Sequence, residues 1–207
     1  MNIILASIFQ KEVEKDPAWA STLTEPVEIT GVCDMRESKI THLSSFLHFT
    51  GRDENGYCAD FSDCRSLGVA EGTFAGMVEF SHSSIEAIGN LTVEKPGRDK
   101  IAALFLACKQ LKIAKGTFPG FVGFGLSGIE EIGDLVITGT QGKKFGIECC
   151  GKLKSIPKSF KPSDIEWGDD EVEERDLAAY KNVQQLRKAL NRSCIAKTLR
   201  QEGGLEL

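Results

Sequence analysis

Residues 78–93 decide the fold, because their pattern returns later in the chain. They read Val78-Glu-Phe-Ser-His-Ser-Ser-Ile-Glu-Ala-Ile-Gly-Asn-Leu-Thr-Val93, and 44 residues further on the chain reads Val122-Gly-Phe-Gly-Leu-Ser-Gly-Ile-Glu-Glu-Ile-Gly-Asp-Leu-Val-Ile137. The segment before them, residues 64–76, returns in the same way as residues 108–120. Self-similarity at a fixed period is the sequence signature of a repeat architecture. The repeating element is therefore a pair of unlike units.

Each unit begins with alternating apolar residues, which predict a short strand with one buried face. We predict seven such strands, spaced 19 to 26 residues apart. The first two buried positions of each are Cys33 and Met35, Ala59 and Phe61, Val78 and Phe80, Ala103 and Phe105, Val122 and Phe124, Phe145 and Ile147, and Ile165 and Trp167. One unit buries too few side chains to fold alone, so the units are expected to stack around a shared core.

The repeated pattern resembles the leucine-rich repeat, an apolar-x-apolar-x-x-Asn/Cys-x-apolar run followed by a variable return. Its closest match is Phe145-Gly-Ile-Glu-Cys-Cys-Gly-Lys-Leu-Lys-Ser-Ile-Pro157. The alternating units are similar to degenerate repeats of bacterial and phage proteins, with serine or cysteine replacing the usual asparagine. The resemblance implies an α/β solenoid, a right-handed stack of about seven coils with a parallel β-sheet on its concave face. A β-sandwich of short strands is the alternative, but it would not repeat its loops as well as its strands.

Helical caps are predicted at both ends of the repeats, because terminal coils would otherwise expose apolar edges. Residues 1–31 form the predicted N-terminal cap, with an amphipathic helix over residues 1–19. The solenoid is assigned to residues 32–172, and the C-terminal cap to residues 173–207. Apolar residues with helical spacing support the second cap: Leu177, Tyr180, Val183, Leu186 and Leu190.

Composition indicates a globular protein of the cytoplasm. The chain has 207 residues, 41% of them apolar, and a formal net charge of -5, which together argue against disorder and against a nucleic-acid partner. No stretch has the roughly 18 apolar residues that would cross a membrane. The seven cysteines are an odd number and are read as reduced thiols. Delivery into a host cell without a cleavable signal peptide is the alternative localisation.

No enzymatic centre, cofactor site or metal site is predicted. Gly123-Phe-Gly-Leu-Ser-Gly128 matches the dinucleotide fingerprint, but it lies inside a repeat strand rather than between a strand and a helix. Cys64, Cys108 and Cys150 occupy one position in alternate coils, which predicts a buried row of thiols that donate weak hydrogen bonds to loop carbonyls. Neither these cysteines nor the histidines have the spacing of zinc ligands.

The residues that alternate with the buried ones form the predicted concave face, which is acidic at both ends and apolar in the middle. In chain order it carries Asp34, Arg36, Glu37, Asp60, Ser62, Asp63, Glu79, Ser81, His82, Leu104, Leu106, Ala107, Gly123, Gly125, Leu126, Glu148, Cys149, Glu166, Gly168 and Asp169. Gly123 and Gly125 are expected to leave a shallow gap beside the leucines. A contiguous apolar patch with a polar surround is typical of an interaction site.

This face predicts a non-enzymatic module that recognises a protein partner, with the chain itself a monomer or weak homodimer and no nucleic acid or membrane bound. The predicted partner-binding residues are Asp60, Asp63, Glu79, His82, Leu104, Leu106, Leu126 and Glu148. Two alternatives remain. One is the substrate-recognition part of a bacterial effector-type enzyme such as a ubiquitin ligase, with Cys194 as its candidate nucleophile, and the other is an oligomer-forming structural protein.

Overall fold

A computed structural model describes residues 2–139, 142–157 and 159–166. The predicted C-terminal helix, Trp167 of the seventh strand, Gly168 and Asp169 of the concave face, and Cys194 lie outside the described residues. The helix α1 spans Ala6–Lys15, and two short 3-10 helices span Trp19–Thr22 and Pro162–Asp164.

The strands in chain order are β1 (Asn2–Leu5), β2 (Val27–Thr30), β3 (Cys33–Asp34), β4 (His42–Leu43), β5 (Leu47–Phe49), β6 (Tyr57–Asp60), β7 (Val69–Phe74), β8 (Met77–Glu79), β9 (Ala87–Val93), β10 (Ile101–Leu104), β11 (Ile113–Phe118), β12 (Phe121–Gly123), β13 (Glu131–Ile137), β14 (Phe145–Gly146) and β15 (Ile165–Glu166).

These strands form two parallel sheets. Sheet A has the order β1-β2-β5-β7-β9-β11-β13, with β4 also paired to β7, and sheet B has the order β3-β6-β8-β10-β12-β14-β15. From β5 to β14 successive strands alternate between the two sheets. We call one strand of each sheet, in chain order, a pass of the chain, and each strand pairs with the corresponding strand of the neighbouring pass. Every strand pair among the described residues is parallel, unlike the antiparallel pairs of a β-sandwich.

The predicted strands correspond to the strands of sheet B. The buried positions predicted for them are confirmed from Cys33 to Ile165. Each of the 13 described positions is at most 3% exposed. Their side chains meet those of sheet A in one core, as the edge-to-face contact of Phe49 with Phe61 shows, at 5.8 Å between ring centroids. The sequence does not predict sheet A, because its strands lie in the return segments, which the repeat pattern leaves variable.

Four phenylalanines of neighbouring passes stack in the core. The ring centroids of Phe61 and Phe80 are 5.3 Å apart, those of Phe80 and Phe105 5.1 Å, and those of Phe105 and Phe124 5.6 Å. Their interplanar angles are 12°, 5° and 13°. This near-parallel stack joins four passes of the chain through one continuous row of aromatic contacts.

The N-terminal segment differs from the single helix predicted over residues 1–19. Residues Asn2–Leu5 form β1, which extends sheet A by pairing with β2, and α1 begins only at Ala6. The helix buries Phe9 and Val13 against the core. Ile3 and Leu5 are 65% and 60% exposed, so this apolar stretch is an edge strand rather than the buried face of a helix.

Candidate partner-binding face

Strand register places one row of side chains across the outer face of sheet B, the face turned away from the core. The row runs through Asp34, Asp60, Glu79, Leu104, Gly123, Gly146 and Glu166. Neighbouring strands lie about 4.8 Å apart, so adjacent members of the row are direct neighbours. The row changes from carboxylates to a leucine, then to glycines, and ends on a carboxylate. Gly146 is the one member of the row that was not predicted for this face.

Leu104 and Leu106 lie over glycines of the next pass: Gly123 in β12 and Gly125 in the turn after it. A Cβ atom built on Gly123 would lie 2.9 Å from Leu104 Cδ2 and 3.2 Å from Leu106 Cδ2. One built on Gly125 would lie 3.5 Å from Leu106 Cδ2. The prediction of a shallow gap beside the leucines is therefore wrong, because the side chains of Leu104 and Leu106 fill the space that the glycines leave.

Phe121 extends the apolar surface in the same way. A Cβ built on Gly146 would lie 2.9 Å from Phe121 Cζ, so this ring leans over the next strand as the leucines do. Leu126 follows in the turn after β12 and is 48% exposed. We call Leu104, Leu106, Phe121 and Leu126 the apolar platform.

Arg36 compensates the carboxylates at the first end of the row. Its Nε and Nη2 donate to the two oxygens of Asp34 at 2.9 and 2.6 Å, and its Nε lies 3.7 Å from Asp60 Oδ2. The bond to Arg36 lowers the pKa of Asp34 below its usual value. Asp63 lies 3.9 Å from the exposed guanidinium of Arg65. The predicted site residues Asp60 and Asp63 thus already have cationic neighbours.

Glu79 has a different environment. Its Oε2 accepts a hydrogen bond from the Tyr57 hydroxyl at 3.0 Å, and no Lys, Arg or His nitrogen of the described chain lies within 4 Å of it. Burial raises the pKa of Tyr57, and the nearby carboxylates of Glu79 and Asp60 raise it further. The hydroxyl therefore stays protonated and keeps donating to Glu79.

The turns that follow the sheet B strands are held by backbone hydrogen bonds between passes. His82 N donates to Leu106 O at 2.8 Å, and Leu126 N donates to Glu148 O at 2.7 Å. The third residue of each turn has a left-handed backbone, with φ between 55° and 61°: Glu37, Asp63, His82, Ala107, Leu126 and Cys149. These bonds hold the predicted residues His82, Leu126 and Glu148 in register with the neighbouring passes of the chain.

Two residues of this face were missed by the sequence analysis. Phe121 directly precedes the buried Val122. Alternation extended by one residue towards the N-terminus therefore predicts that Phe121 lies on the outer face. Tyr57 had no such signal, because Cys58 and Ala59 are both buried and a register shift in β6 breaks the alternation.

The predicted thiol row is confirmed, and it lies in the core rather than on the outer face. Cys64 Sγ donates to Met35 O at 3.1 Å, Cys108 Sγ to Phe80 O at 3.1 Å, and Cys150 Sγ to Phe124 O at 3.0 Å. A serine of the preceding pass lies 3.4 to 3.6 Å from each sulfur: Ser38, Ser83 and Ser127.

Burial makes these thiols unreactive and their stability contribution pH-dependent. It raises the pKa of Cys108 and of Cys150 from 9.0 to about 11. Because an unfolded thiol ionises first, the free energy of unfolding should fall as the pH rises from about 9 to about 11. We expect iodoacetamide at pH 8 to label these two cysteines in unfolded protein but not in folded protein, as read by mass spectrometry.

Cys108→Ala provides the control for that pH dependence, because it removes one titrating group and should make the loss of stability shallower. Equal labelling of Cys108 in folded and unfolded protein would contradict the burial.

Within the described residues, no group of three or more His, Cys, Asp or Glu side chains is arranged to hold a metal ion. No helix in that part of the chain is long and apolar enough to span a bilayer. Comparison with protein-family models, curated proteins and solved structures finds no match to this chain.

Proposed function

We propose that this chain is a non-enzymatic recognition module that binds a protein partner across the outer face of sheet B. The observation that carries the proposal is the apolar platform, which lies on a row of paired strands and has carboxylates on both sides. Apolar side chains held in fixed positions lose little conformational freedom on binding, which favours affinity.

In this proposal the two sheets belong to a leucine-rich-repeat-like solenoid, a right-handed stack of coils with sheet B on its concave side. The 44-residue period and the parallel pairing of neighbouring passes support this arrangement. A cytoplasmic location is proposed with it, and the reduced thiols of the five buried cysteines in the described part of the chain are compatible with a reducing compartment.

Replacing a platform leucine with a charged residue should abolish partner capture. Immobilised wild-type protein is expected to retain a partner from a lysate of the source organism, and Leu106→Asp and Leu126→Asp are each expected to lose it. An unpaired carboxylate in a buried apolar contact costs several kcal/mol, which is about a hundredfold or more in affinity. Retained proteins are identified by mass spectrometry, and circular dichroism checks the fold of each variant.

Val136→Asp is the matched control, because Val136 is 51% exposed on sheet A, away from the platform. It should retain the same partner as the wild type. If all four proteins retained the same set, the platform would not be the binding surface.

A further inference from the structure

The border between the carboxylates and the apolar platform carries two polar groups with unused hydrogen-bonding capacity. Glu79 pairs in register with Leu104, so its carboxylate lies one strand from the platform. It is half-buried, and the Tyr57 hydroxyl is the one donor assigned to it among the described side chains. A carboxylate can accept further hydrogen bonds from a cation.

Ser81 supplies the second group. The residue is 5% exposed, and its hydroxyl oxygen has no hydrogen-bond partner in the described part of the chain. It follows the buried Phe80, as Leu106 follows Phe105 on the next pass, and Leu106 lies on the outer face over Gly123. A buried hydroxyl without a partner is uncommon in folded proteins, and a bound ligand group is one way to satisfy it.

Resting on the proposed function, we propose that the partner is an extended segment with a lysine or arginine two residues away from an aliphatic residue. Glu79 and Ser81 accept hydrogen bonds from the cation, while the aliphatic side chain packs on Leu104 and Leu106. Asp60 is the weaker candidate for this contact, because Arg36 lies 3.7 Å from it.

The spacing of the face fits such a segment. Gly123, which Leu104 and Leu106 cover, lies two strands from Glu79, and the two leucines bridge that interval, so the apolar contact is centred about 5 to 10 Å from the carboxylate. Side chains two residues apart on an extended segment are separated by about 7 Å.

Peptide display tests the inference without knowledge of the natural partner. Random 12-residue peptides are selected on wild-type protein, on Glu79→Gln, on Leu106→Asp and on the control Glu131→Gln, an exposed carboxylate of sheet A. Wild type and control should enrich a basic residue two positions from an aliphatic one. Glu79→Gln should keep the aliphatic preference and lose the basic one.

A synthetic peptide from that selection then gives the affinities by fluorescence anisotropy. Glu79→Gln should weaken binding of the lysine peptide about tenfold, while a lysine-to-methionine version should bind Glu79→Gln and wild type equally. Ser81→Ala should weaken the lysine peptide and yet raise the melting temperature, because it removes an unsatisfied buried hydroxyl. A merely structural serine would not give these opposite changes.

The outcomes separate the two proposals. Enrichment that is lost in Leu106→Asp but shows no basic preference, or a basic preference that survives in Glu79→Gln, overturns this inference and leaves the proposed function standing. Failure of wild-type protein to enrich any peptide, or enrichment unchanged by Leu106→Asp, also overturns this inference, and the proposed function falls with it only if partner capture from the lysate is unchanged by Leu106→Asp as well.

Discussion

Phe80→Ala is expected to lower the free energy of unfolding by about 3–5 kcal/mol, the cost of emptying a large buried aromatic site. Phe80 is 0% exposed and stacks on Phe61 and Phe105 on its two sides. It also meets Phe74 of sheet A edge to face, at 6.2 Å between centroids. Its truncation therefore removes contacts to both neighbouring passes and to the opposite sheet. Chemical denaturation measures the loss.

Phe46→Ala controls for the general effect of removing a phenylalanine. Phe46 is 37% exposed, so its truncation should cost only about 1–2 kcal/mol. Equal losses at Phe46 and Phe80 would contradict the buried, stacked position of Phe80.

Gly120→Ala is expected to destabilise the protein by about 3 kcal/mol, because the added methyl group has no room. A Cβ built on Gly120 would overlap the carbonyl oxygen of Lys100 and lie 2.8 Å from Pro96 Cβ. That carbonyl cannot easily move, since it accepts a 2.8 Å hydrogen bond from Phe121 N. The shift would also displace Phe121. If the proposed function holds, we therefore expect the folded fraction to bind the partner more weakly through the apolar platform.

Gly68→Ala is the matched control, because a Cβ there would meet only Thr41 O, at 3.9 Å. Its stability should change by less than about 1 kcal/mol in either direction. Thermal unfolding followed by circular dichroism compares the two variants, and a similar melting temperature for both would contradict the steric argument.

The same steric restriction explains a recurring Phe-x-Gly at the end of sheet A strands. It occurs as residues 49–51, 74–76 and 118–120. A Cβ built on Gly51 or Gly76 would overlap the backbone of Gly31 or Gly56 on the preceding pass. These glycines are therefore required where the backbones of successive passes come closest.

The sequence was informative wherever a side-chain pattern recurred without interruption. The alternation around Val78 and Val122 predicted the sheet B strands and their buried faces, and the common spacing of Cys64, Cys108 and Cys150 predicted the thiol row. Each of these signals depends on local geometry that repeats from pass to pass, so one sequence contains several independent examples of it.

Sheet A was missed because its own alternation is broken. Gly72 in β7 and Gly116 in β11 have φ of 107° and 130°, and the register of each strand shifts beside them. Such bulges favour glycine and interrupt the two-residue period, so alternation alone does not predict these strands. The side-chain direction of Leu104 and Leu106 could not be predicted from the sequence either, because it depends on contacts between neighbouring strands.

The 44-residue period also means that duplication of one repeat would widen the outer face of sheet B. Asp60 and Leu104 occupy equivalent positions in successive copies, so one backbone carries a charge in the first and an apolar group in the second. A further copy would add two strands to each sheet, which is about 10 Å of new outer face, and would meet its neighbours through the same parallel edges. The residues of the outer face and those of the core are thus separable, and the face can change its chemistry or its width while the buried repeat is left intact.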